Sequence, residues 1–525
     1  MTPLDSLTGV EIFGDQVAYA DGFEVDLLAL LERVSDRSSD SPELASEISG
    51  WPSLYHLSRA RANILEPLGD LSGLRVLECG AGTGILTRAL VDEGADIVAV
   101  EGALSRARCA ATRLQGGGPG SARVVCADLG HLHEVTDLGD FDLVLIIGVL
   151  EYFGRYGLDP EAFLARCCTL LRPSGRLALA IENQIGLKYL LGGQEEHLGL
   201  PWIGVEGYRD PSGIRTYSRR ELATMFGSSG FDHVDFFSVF PDYKLPSAIL
   251  RDTLVESDGG PDLLMKLVRE PVSYRDNPPE RLCDERTAMA AFARAGLGAE
   301  TSSSILCIAH RDETRDGPAS DDPQGWLFSS CARRPDLQDA RALVWTEDGD
   351  DAQLDLLSLR GSSEAVRVGW LVREPRPIAR VVRGRCLEDV VLDALAQRDR
   401  PRALAALARW YAVLVDESTP STVADSPNPF CPKGESFLLK PTLLDVNLPN
   451  FIVDELGVLH FVDAEWSATG GVDRDLVVIR ALLSLGDRVI HGGLEHPWPP
   501  LASPVDVAVD LGVALGIESA MTKVA

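Results

Sequence analysis

Early in the chain, three glycines occupy every second position after an apolar run. Val76–Glu78 is followed by Gly80, Gly82 and Gly84, with helix-forming residues behind them. Glycine is needed where the backbone takes a positive φ or passes so close to a ligand that a Cβ would collide with it. The pattern therefore predicts a buried strand, a tight turn whose backbone contacts a small molecule, and a helix.

Acidic residues stand at the ends of the next two strand-like runs. Asp96–Val100 ends in Glu101, and Ala122–Ala127 leads into Asp128 and Leu129. A carboxylate about twenty residues beyond the glycines can accept hydrogen bonds from both hydroxyls of a ribose, as in dinucleotide-binding folds. The third glycine stands one residue earlier than in the dinucleotide fingerprint, so the pattern differs from that fingerprint.

A dense polar segment follows the fifth strand-like run. The residues expected to contact a substrate there are Glu182, Asn183 and Lys188, and Glu196 and His197 come shortly after them. The reference pKa of an imidazole lies near neutrality, which makes His197 a candidate general base. Glu196 beside it would orient the ring or hold the substrate. A solvated loop with incidental charges would give the same composition.

Two other segments carry polar residues where a strand ends. The apolar run 141–148 ends in Gly148 and continues into Glu151 and Tyr152, which we expect to contact the substrate. The motif Asp242-Tyr243-Lys244 lies between two prolines after another apolar run. We expect Asp242 to take part in catalysis and its two neighbours to contact the substrate, unless the motif merely ends the sheet.

A helix is expected before the first strand. Apolar residues recur at helical spacing in Trp51–Leu65. Packing against the sheet would explain this helix, and the alternative is that Tyr55, His56 or Arg61 helps to close the ligand pocket.

Strand-like and helix-like segments alternate through the first half of the chain. Such alternation predicts an α/β fold with a parallel sheet whose ligand lies at the carboxyl ends of the strands. The polar residues at those ends would then meet in one site. The predicted strands end near residues 79, 101, 127, 148 and 181.

The segment Glu-x-Gly-x-Gly-x-Gly resembles motif I of class I S-adenosylmethionine (SAM) methyltransferases. The resemblance implies a Rossmann-like sheet and SAM as the cofactor. It also implies that the three glycines hold the methionine part, Glu101 the ribose and Asp128 the adenine amino group. The full set expected to contact the cofactor is Glu78, Gly80, Gly82, Gly84, Glu101, Asp128, Leu129 and Gly148.

Four further motifs narrow the resemblance. Trp-Pro-Ser-x-Tyr-His-Leu, Ile-Gly-Val-Leu-Glu-Tyr, Ile-Glu-Asn-Gln-x-Gly-Leu-Lys-Tyr and Pro-Asp-Tyr-Lys-Leu-Pro resemble methyltransferase domains of bacterial polysaccharide and O-antigen biosynthesis. This resemblance covers about residues 45–250 and implies a glycan or small-molecule acceptor. The second motif differs from the Asn/Asp-Pro-Pro-Tyr of many amide and base N-methyltransferases, which leaves oxygen or carbon acceptors open.

The second half contains a segment that resembles kinase-like folds. Asp445 stands where the catalytic base would be, and Asn450 and Asp463 stand where magnesium ligands would be. The usual histidine before the base, a glycine-rich loop and a strand lysine are all missing from the expected places. We therefore expect a degenerate kinase-like α+β domain, with Mg-ATP as a cofactor only if it is an active phosphotransferase.

Turn-rich segments suggest the domain boundaries. We expect an N-terminal extension at 1–40, the methyltransferase domain at 41–255 and a linker at 256–280. The kinase-like domain would occupy 281–500, followed by a C-terminal tail at 501–525.

Composition limits the possible partners. The 525 residues carry a formal net charge of −30, which disfavours nucleic acid and acidic membrane surfaces. Ten scattered cysteines without a paired Cys-x-x-Cys, and the lack of a signal peptide or a long apolar run, indicate a cytoplasmic protein. We expect no integral membrane segment and no metal site, and a homo-oligomer is possible.

Three functions remain open from the sequence. The first is a SAM-dependent methyltransferase that O-methylates a sugar, a glycan or a glycosylated small molecule. The second is a bifunctional kinase–methyltransferase that phosphorylates and then methylates the end of a glycan. The third is a SAM-binding scaffold without catalysis.

Overall fold

The structure is a computed structural model. It describes residues 3–136, 138–272, 283–312, 322–329, 338–348, 351–359, 365–424, 426–431, 433–462, 464–492, 494–517 and 521. No helix in these ranges has the length and apolar character needed to cross a lipid bilayer.

Short strands dominate the architecture. They are β1 Glu11–Phe13, β2 Arg75–Cys79, β3 Asp96–Glu101, β4 Ser121–Ala127, β5 Phe141–Ile147, β6 Leu171–Glu182, β7 His233–Phe240, β8 Ala248–Arg251, β9 Ser304–His310, β10 Gly325–Ser329, β11 Asp339–Asp348, β12 Asp351–Ser358, β13 Val366–Val368, β14 Leu371–Arg373, β15 Ile378–Arg380, β16 Arg385–Cys386, β17 Ser418–Val423, β18 Gly434–Leu439, β19 Phe451–Val453, β20 Leu459–Phe461, β21 Trp466–Ala468 and β22 Val472–Asp473.

Helices connect and cover the strands. They are α1 Glu24–Arg33, α2 Pro42–Ser46, α3 Trp51–Leu57, α4 Ile85–Asp92, α5 Leu104–Leu114, α6 Pro160–Leu170, α7 Leu187–Leu190, α8 Arg219–Ser228, α9 Asp252–Val255, α10 Gly260–Leu267, α11 Glu285–Arg294, α12 Leu387–Ala396, α13 Arg400–Asp416, α14 Arg474–His491 and α15 Pro504–Ala514. Short 3-10 helices include Arg59–Leu68, Leu129–Glu134 and Leu150–Tyr156.

The chain divides into two compact units. Unit 1 comprises Met1–Pro261, Glu270–Asn277 and Ala291–Trp345. Unit 2 comprises Asp262–Arg269, Pro278–Ala290 and Thr346–Ala525.

The sheet of unit 1 confirms the expected Rossmann-like α/β fold. Its strands follow the order β1-β4-β3-β2-β5-β6-β9-β7-β8-β10-β11. The neighbours from β1 to β6 pair in parallel, whereas β9, β7, β8, β10 and β11 join by antiparallel pairing. Parallel strands place their carboxyl ends at one edge, so the turns that follow β2, β3, β4 and β5 lie side by side.

Strand β9 extends the first unit well beyond the boundary expected at residue 255. It lies between β6 and β7, with Cys307 opposite both Leu179 and Phe236. Cys307, together with Ile305 and Ala309, is fully buried in the same core as β2 and β5. The local sequence could not show this, because a strand inserted between two earlier strands gives no signal of its sheet neighbours.

The N-terminal residues are also part of unit 1 rather than an appendage. Strand β1 pairs with β4, and α1 packs its apolar face into a cluster with Leu44 and Leu57. Leu27 and Leu31 on α1 are fully buried. The polar stretch after them had suggested an extension at 1–40.

Unit 2 has its own core around α12, α13 and α14. Trp410 and Phe451 are buried there, and the Trp410 indole donates to the Val446 carbonyl at 3.1 Å. Helix α15 packs against α14 and buries Val507 and Leu511. The segment expected to be a tail at 501–525 therefore contains a packed helix.

Candidate active site

A cavity of about 430 Å³ in unit 1 gathers most of the residues singled out from the sequence. It lies where β2 to β5 end, as expected for a parallel sheet. The predicted residues that line it are Glu78, Gly80, Gly82, Glu101, Asp128, Leu129, Gly148, Glu151, Tyr152, Glu196, His197, Tyr243 and Lys244.

The glycine turn requires its glycines for two different reasons. Gly80, Gly82 and Gly84 all have a positive φ, of 80°, 57° and 79°. A Cβ on Gly80 would collide with Val149, and one on Gly84 would lie 2.7 Å from Cα of Ala110. Gly84 does not line the cavity but begins α4 in the left-handed conformation. The turn thus packs tightly on its neighbours while its backbone faces the cavity.

Glu101 joins the glycine turn to the start of α5. Its carboxylate accepts the Gly82 N–H and the Ala103 N–H, both at 2.8 Å. The side chain is buried, with 7% of its surface exposed. A carboxylate has about four lone-pair sites, so these two bonds leave capacity for two further donors such as ribose hydroxyls.

Asp128 begins the 3-10 helix that follows β4. One of its oxygens accepts the Gly130 N–H at 2.7 Å, and its side chain and that of Leu129 line the cavity. The carboxylate is thereby held in a fixed orientation beside the same opening as Glu101.

Glu78 is a buried carboxyl beneath the glycine turn. It accepts a hydrogen bond from the Thr87 hydroxyl at 2.6 Å. Burial raises its pKa to about 7; the Thr87 bond opposes the increase, and the negative charge of Glu101 adds to it. Glu78 therefore titrates near neutrality in the folded protein.

The segments between β1 and β2 supply part of the cavity wall. Tyr55, His56 and Arg61, the alternative ligand-closing residues of the predicted helix, line it. His56 bonds Thr83 Oγ1 through Nδ1 and Asp21 Oδ2 through Nε2, both at 2.9 Å.

Sequence reasoning missed several residues of this wall, among them Tyr19, Asp21 and Arg106. The Arg106 guanidinium lies 4.9 Å from the centre of the Tyr19 ring and 3.8 Å from Asp21. Tyr19 and Asp21 belong to irregular chain between β1 and α1, where periodicity carries no information.

The predicted substrate side is a buried network of glutamates and lysines. Lys188 Nζ lies 2.8 Å from Glu196 Oε1, and Lys244 Nζ lies 2.5 Å from Glu196 Oε2. Lys244 also pairs with Glu182. Glu182 and Lys188 do not line the cavity themselves but hold two residues that do.

The side chains of Asn183 and Asp242 form hydrogen bonds with backbone groups in this structure. The Asn183 amide donates to the carbonyls of Glu300 and Ser302 at 2.7 and 2.9 Å. One oxygen of Asp242 accepts the N–H groups of Lys244 and Leu245. Neither residue lines the cavity.

His197 lies between two buried glutamates. Its Nδ1 is 2.8 Å from Glu195 Oε1, and its Nε2 is 3.6 Å from Glu151 Oε1. Burial alone would lower its pKa, but the hydrogen bond to Glu195 and the negative charges of Glu151 and Glu195 raise it to about 10. A ring that is already protonated at neutral pH cannot accept a proton, so this state does not suit the general base expected from the sequence.

The three residues that we expected in a kinase-like site lie in unit 2. Asp445 accepts bonds from Arg480 and Asn447, each at 2.7 Å, and from Asn450 at 3.0 Å. Asn450 also accepts a bond from Arg269 at 3.2 Å. Asp463, the other expected magnesium ligand, falls outside the described residues.

The titration of Glu78 provides a test of its burial. Because the folded-state pKa lies above the usual value of 4.5, stability decreases as pH rises from below 4.5 through about 7. Glu78→Gln should therefore raise the free energy of unfolding at pH 8.5 by up to about 3 kcal/mol. The gain should be small at pH 5. Thermal melts at both pH values, with the exposed Glu32→Gln as control, measure it, and an equal effect at both pH values would contradict it.

Comparisons with known proteins find relatives for a part of the chain. Residues 77–179 match the family described as "Methyltransferase domain". The ubiquinone biosynthesis O-methyltransferase of Xylella fastidiosa (strain M23) is 30% identical over 195 residues, which cover 34% of this chain and 75% of that protein. The corresponding protein of Pseudomonas aeruginosa (strain UCBPP-PA14) is 28% identical over 199 residues, 36% of this chain and 78% of that protein.

A solved structure, magnesium protoporphyrin IX methyltransferase from Synechocystis PCC 6803 with bound SAH, aligns with a TM-score of 0.30 and 14% identity. The alignment covers 56% of this chain and 96% of that one. The residues that match the family include the glycine turn, Glu101 and Asp128. The chain belongs to the class I SAM-dependent methyltransferases.

Proposed function

We propose that the protein transfers the methyl group of SAM to a hydroxyl of a sugar, a glycan or a glycosylated small molecule. The observation that supports an acceptor rich in hydroxyls is one part of the wall of the cavity that the glycine turn also lines. Glu151, Glu196, His197 and Lys244 contribute charged donors and acceptors to that wall. Charged groups of both signs can form hydrogen bonds with several hydroxyls at once.

The residues around the glycine turn fit SAM. The positive φ of Gly82 and the open cavity beside its backbone leave room for the methionine part. Glu101 keeps lone pairs for a ribose, and the orientation of Asp128 suits the adenine amino group. When bound, SAM supplies a methyl group on a sulfonium, which an acceptor oxygen can attack in line. The protein's own contribution is alignment and removal of the acceptor proton.

Glu151 is better suited than His197 to remove the proton of the acceptor hydroxyl. Glu151 lines the cavity, and neither of its buried oxygens receives a hydrogen bond. His197 is charged at neutral pH through its two neighbouring carboxylates. We therefore assign His197 and Lys244 the role of positioning the acceptor. Glu151 is assigned the removal of the proton from the reacting hydroxyl.

A phenolic hydroxyl is a second candidate acceptor. The curated relatives are named ubiquinone biosynthesis O-methyltransferases. Aromatic side chains also line the cavity, among them Tyr55, Tyr152 and Tyr243. A flat ring could stack on these side chains, as could the apolar face of a sugar.

We propose that the kinase-like part of unit 2 is degenerate. Asp445 is paired with the Arg480 guanidinium, which neutralises the carboxylate that would accept a proton or face a metal. The alternative remains a bifunctional enzyme that phosphorylates and then methylates its acceptor.

Binding of Mg-ATP separates these two possibilities. If the ion pair with Arg480 prevents Asp445 from taking part in Mg-ATP binding, millimolar Mg-ATP should leave the melting temperature of the full chain unchanged. A ligand raises the melting temperature only when it binds the folded state. Differential scanning fluorimetry measures this, with magnesium alone as control. A shift that disappears in Asp445→Asn would favour the bifunctional enzyme.

The role of Glu101 is testable through SAM affinity. Glu101→Ala removes the acceptor for two ribose hydroxyls, and loss of two charge-assisted hydrogen bonds should weaken binding by roughly 100-fold or more. Isothermal titration with SAM measures the change. Asp96→Ala, on the exposed first residue of the same strand, is the matched control.

Glu101→Gln is the second arm, because its remaining oxygen can still accept one of the two backbone N–H groups. We expect an intermediate loss of affinity with a preserved fold. Unchanged SAM affinity in a folded Glu101→Ala protein would contradict the assignment of Glu101 as the residue that binds the ribose.

The acceptor can be identified by transfer of label. Incubating the protein with methyl-labelled SAM and an extract of the source organism should place label on a sugar hydroxyl as a methyl ether. Label on a phenol would favour the second candidate, and label on nitrogen or carbon would contradict the O-methyltransferase proposal.

The variant Glu151→Gln tests whether methyl transfer takes place in the cavity. Glu151→Gln should lower kcat by about 100-fold or more while SAM affinity stays near that of the wild type, because proton removal contributes to catalysis and not to cofactor binding. Glu161→Gln, at an exposed glutamate, is the control. Wild-type turnover in Glu151→Gln would contradict the role of Glu151.

A further inference from the structure

Three side chains on the acceptor side point their ligand atoms at one another. They are Glu151, Glu182 and His197, and one atom of each lies within 4.8 Å of the others. They come from three separate places in the sequence, after β5, at the end of β6 and beyond α7. Among the described residues, these three side chains form a group whose ligand atoms are close enough together to hold one metal ion.

The two glutamates are buried and incompletely satisfied. Each is 1% exposed. Both oxygens of Glu151 and Oε2 of Glu182 receive no hydrogen bond. The His197 Nε2 lies 3.6 Å from Glu151 Oε1, which is beyond hydrogen-bond distance. Buried carboxylate oxygens without a donor are costly, and a bound cation would satisfy them.

The imidazole is oriented in the way that metal-binding histidines are. Its Nδ1 bonds Glu195 Oε1 at 2.8 Å, and Glu195 Oε2 accepts the N–H groups of His197 and Leu198 at 2.8 and 2.7 Å. A histidine that ligates a metal typically donates its other ring N–H to a carboxylate, which fixes the tautomer. Here that arrangement leaves Nε2 facing the two glutamates.

The charges of the surrounding network also favour a cation. Four glutamates, at positions 151, 182, 195 and 196, lie in this network with Lys188 and Lys244. A ligating histidine is neutral. Four carboxylates against two ammonium groups then leave two negative charges, which a divalent cation would balance.

We propose that Glu151, Glu182 and His197 bind a divalent cation that holds the acceptor hydroxyl for methylation. This inference rests on the proposed O-methyltransferase function and extends it. One imidazole nitrogen and two carboxylate oxygens suit ions such as Mn²⁺ and Zn²⁺. Glu151 and His197 line the cavity, so the remaining coordination positions face the acceptor.

The cation would act as a Lewis acid on the acceptor. Coordination lowers the pKa of a bound hydroxyl, as it does for bound water. The O–H bond breaks, and its proton passes to the Glu151 oxygen that does not hold the cation and then to solvent. The oxygen then forms a bond to the methyl carbon, the carbon–sulfur bond breaks, and its electron pair returns to sulfur to give neutral S-adenosylhomocysteine.

The test uses the full chain stripped of metal with EDTA. Titration with Mn²⁺, followed by electron paramagnetic resonance, should show one bound ion per chain with nitrogen coupling from one imidazole. His197→Ala should lose the nitrogen coupling and weaken binding by at least about 10-fold. The exposed His133→Ala is the matched control and should bind as the wild type does.

A second variant guards against a folding defect. Glu151→Gln keeps the volume of the side chain and should also weaken binding of Mn²⁺, with Zn²⁺ as a parallel probe. Absence of saturable Mn²⁺ and Zn²⁺ binding in the wild type, or equal binding by wild type, His197→Ala and Glu151→Gln, would overturn the site.

Methyl transfer is measured separately on the same samples. Turnover that survives EDTA unchanged would overturn the cation's role while leaving the methyltransferase proposal intact. Failure of the proposed function would instead appear as absence of methylated hydroxyl product whether or not metal is added. Restoration of turnover by Mn²⁺ or Zn²⁺ after EDTA is the result that supports the proposal.

Discussion

The carboxylate of Glu101 holds the cofactor side of the site together. It is buried at the end of β3 and must find hydrogen-bond donors, and it takes them from Gly82 in the glycine turn and from Ala103 before α5. This fixes the turn against the neighbouring strand end. The turn in turn needs glycine, because Val149 and Ala110 lie where Cβ atoms would be. The geometry that suits SAM therefore follows from satisfying one buried charge.

The acceptor side obeys a different constraint. Glutamates outnumber lysines around Glu182, Glu196 and Lys244, and the excess is buried. Glu195 and Glu151 keep His197 protonated in the absence of another cation. A divalent ion in its place would balance the same carboxylates and face the acceptor. The electrostatics that disfavour His197 as a base thus suit it as a ligand.

The sequence predicted which residues meet near the glycine turn far better than it predicted the contacts of His197 or the boundaries of the units. Gly80, Glu101 and Asp128 follow directly from strand ends, because in a parallel sheet those ends share one edge. Tyr19 and Arg106 could not be found, since their meeting depends on tertiary packing of the N-terminal segment. The same holds for strand β9 between β6 and β7, and for the meeting of Glu151, Glu182 and His197, where no metal site had been expected. Long-range contacts of this kind leave no local periodicity.

A crystal structure of the full chain with S-adenosylhomocysteine tests the central claim most directly. The account predicts both ribose hydroxyls within hydrogen-bond distance of Glu101, the adenine amino group beside Asp128, and the sulfur facing the wall that carries Glu151. Binding of the ligand elsewhere, or in this cavity with Glu101 turned away from the ribose, would contradict it.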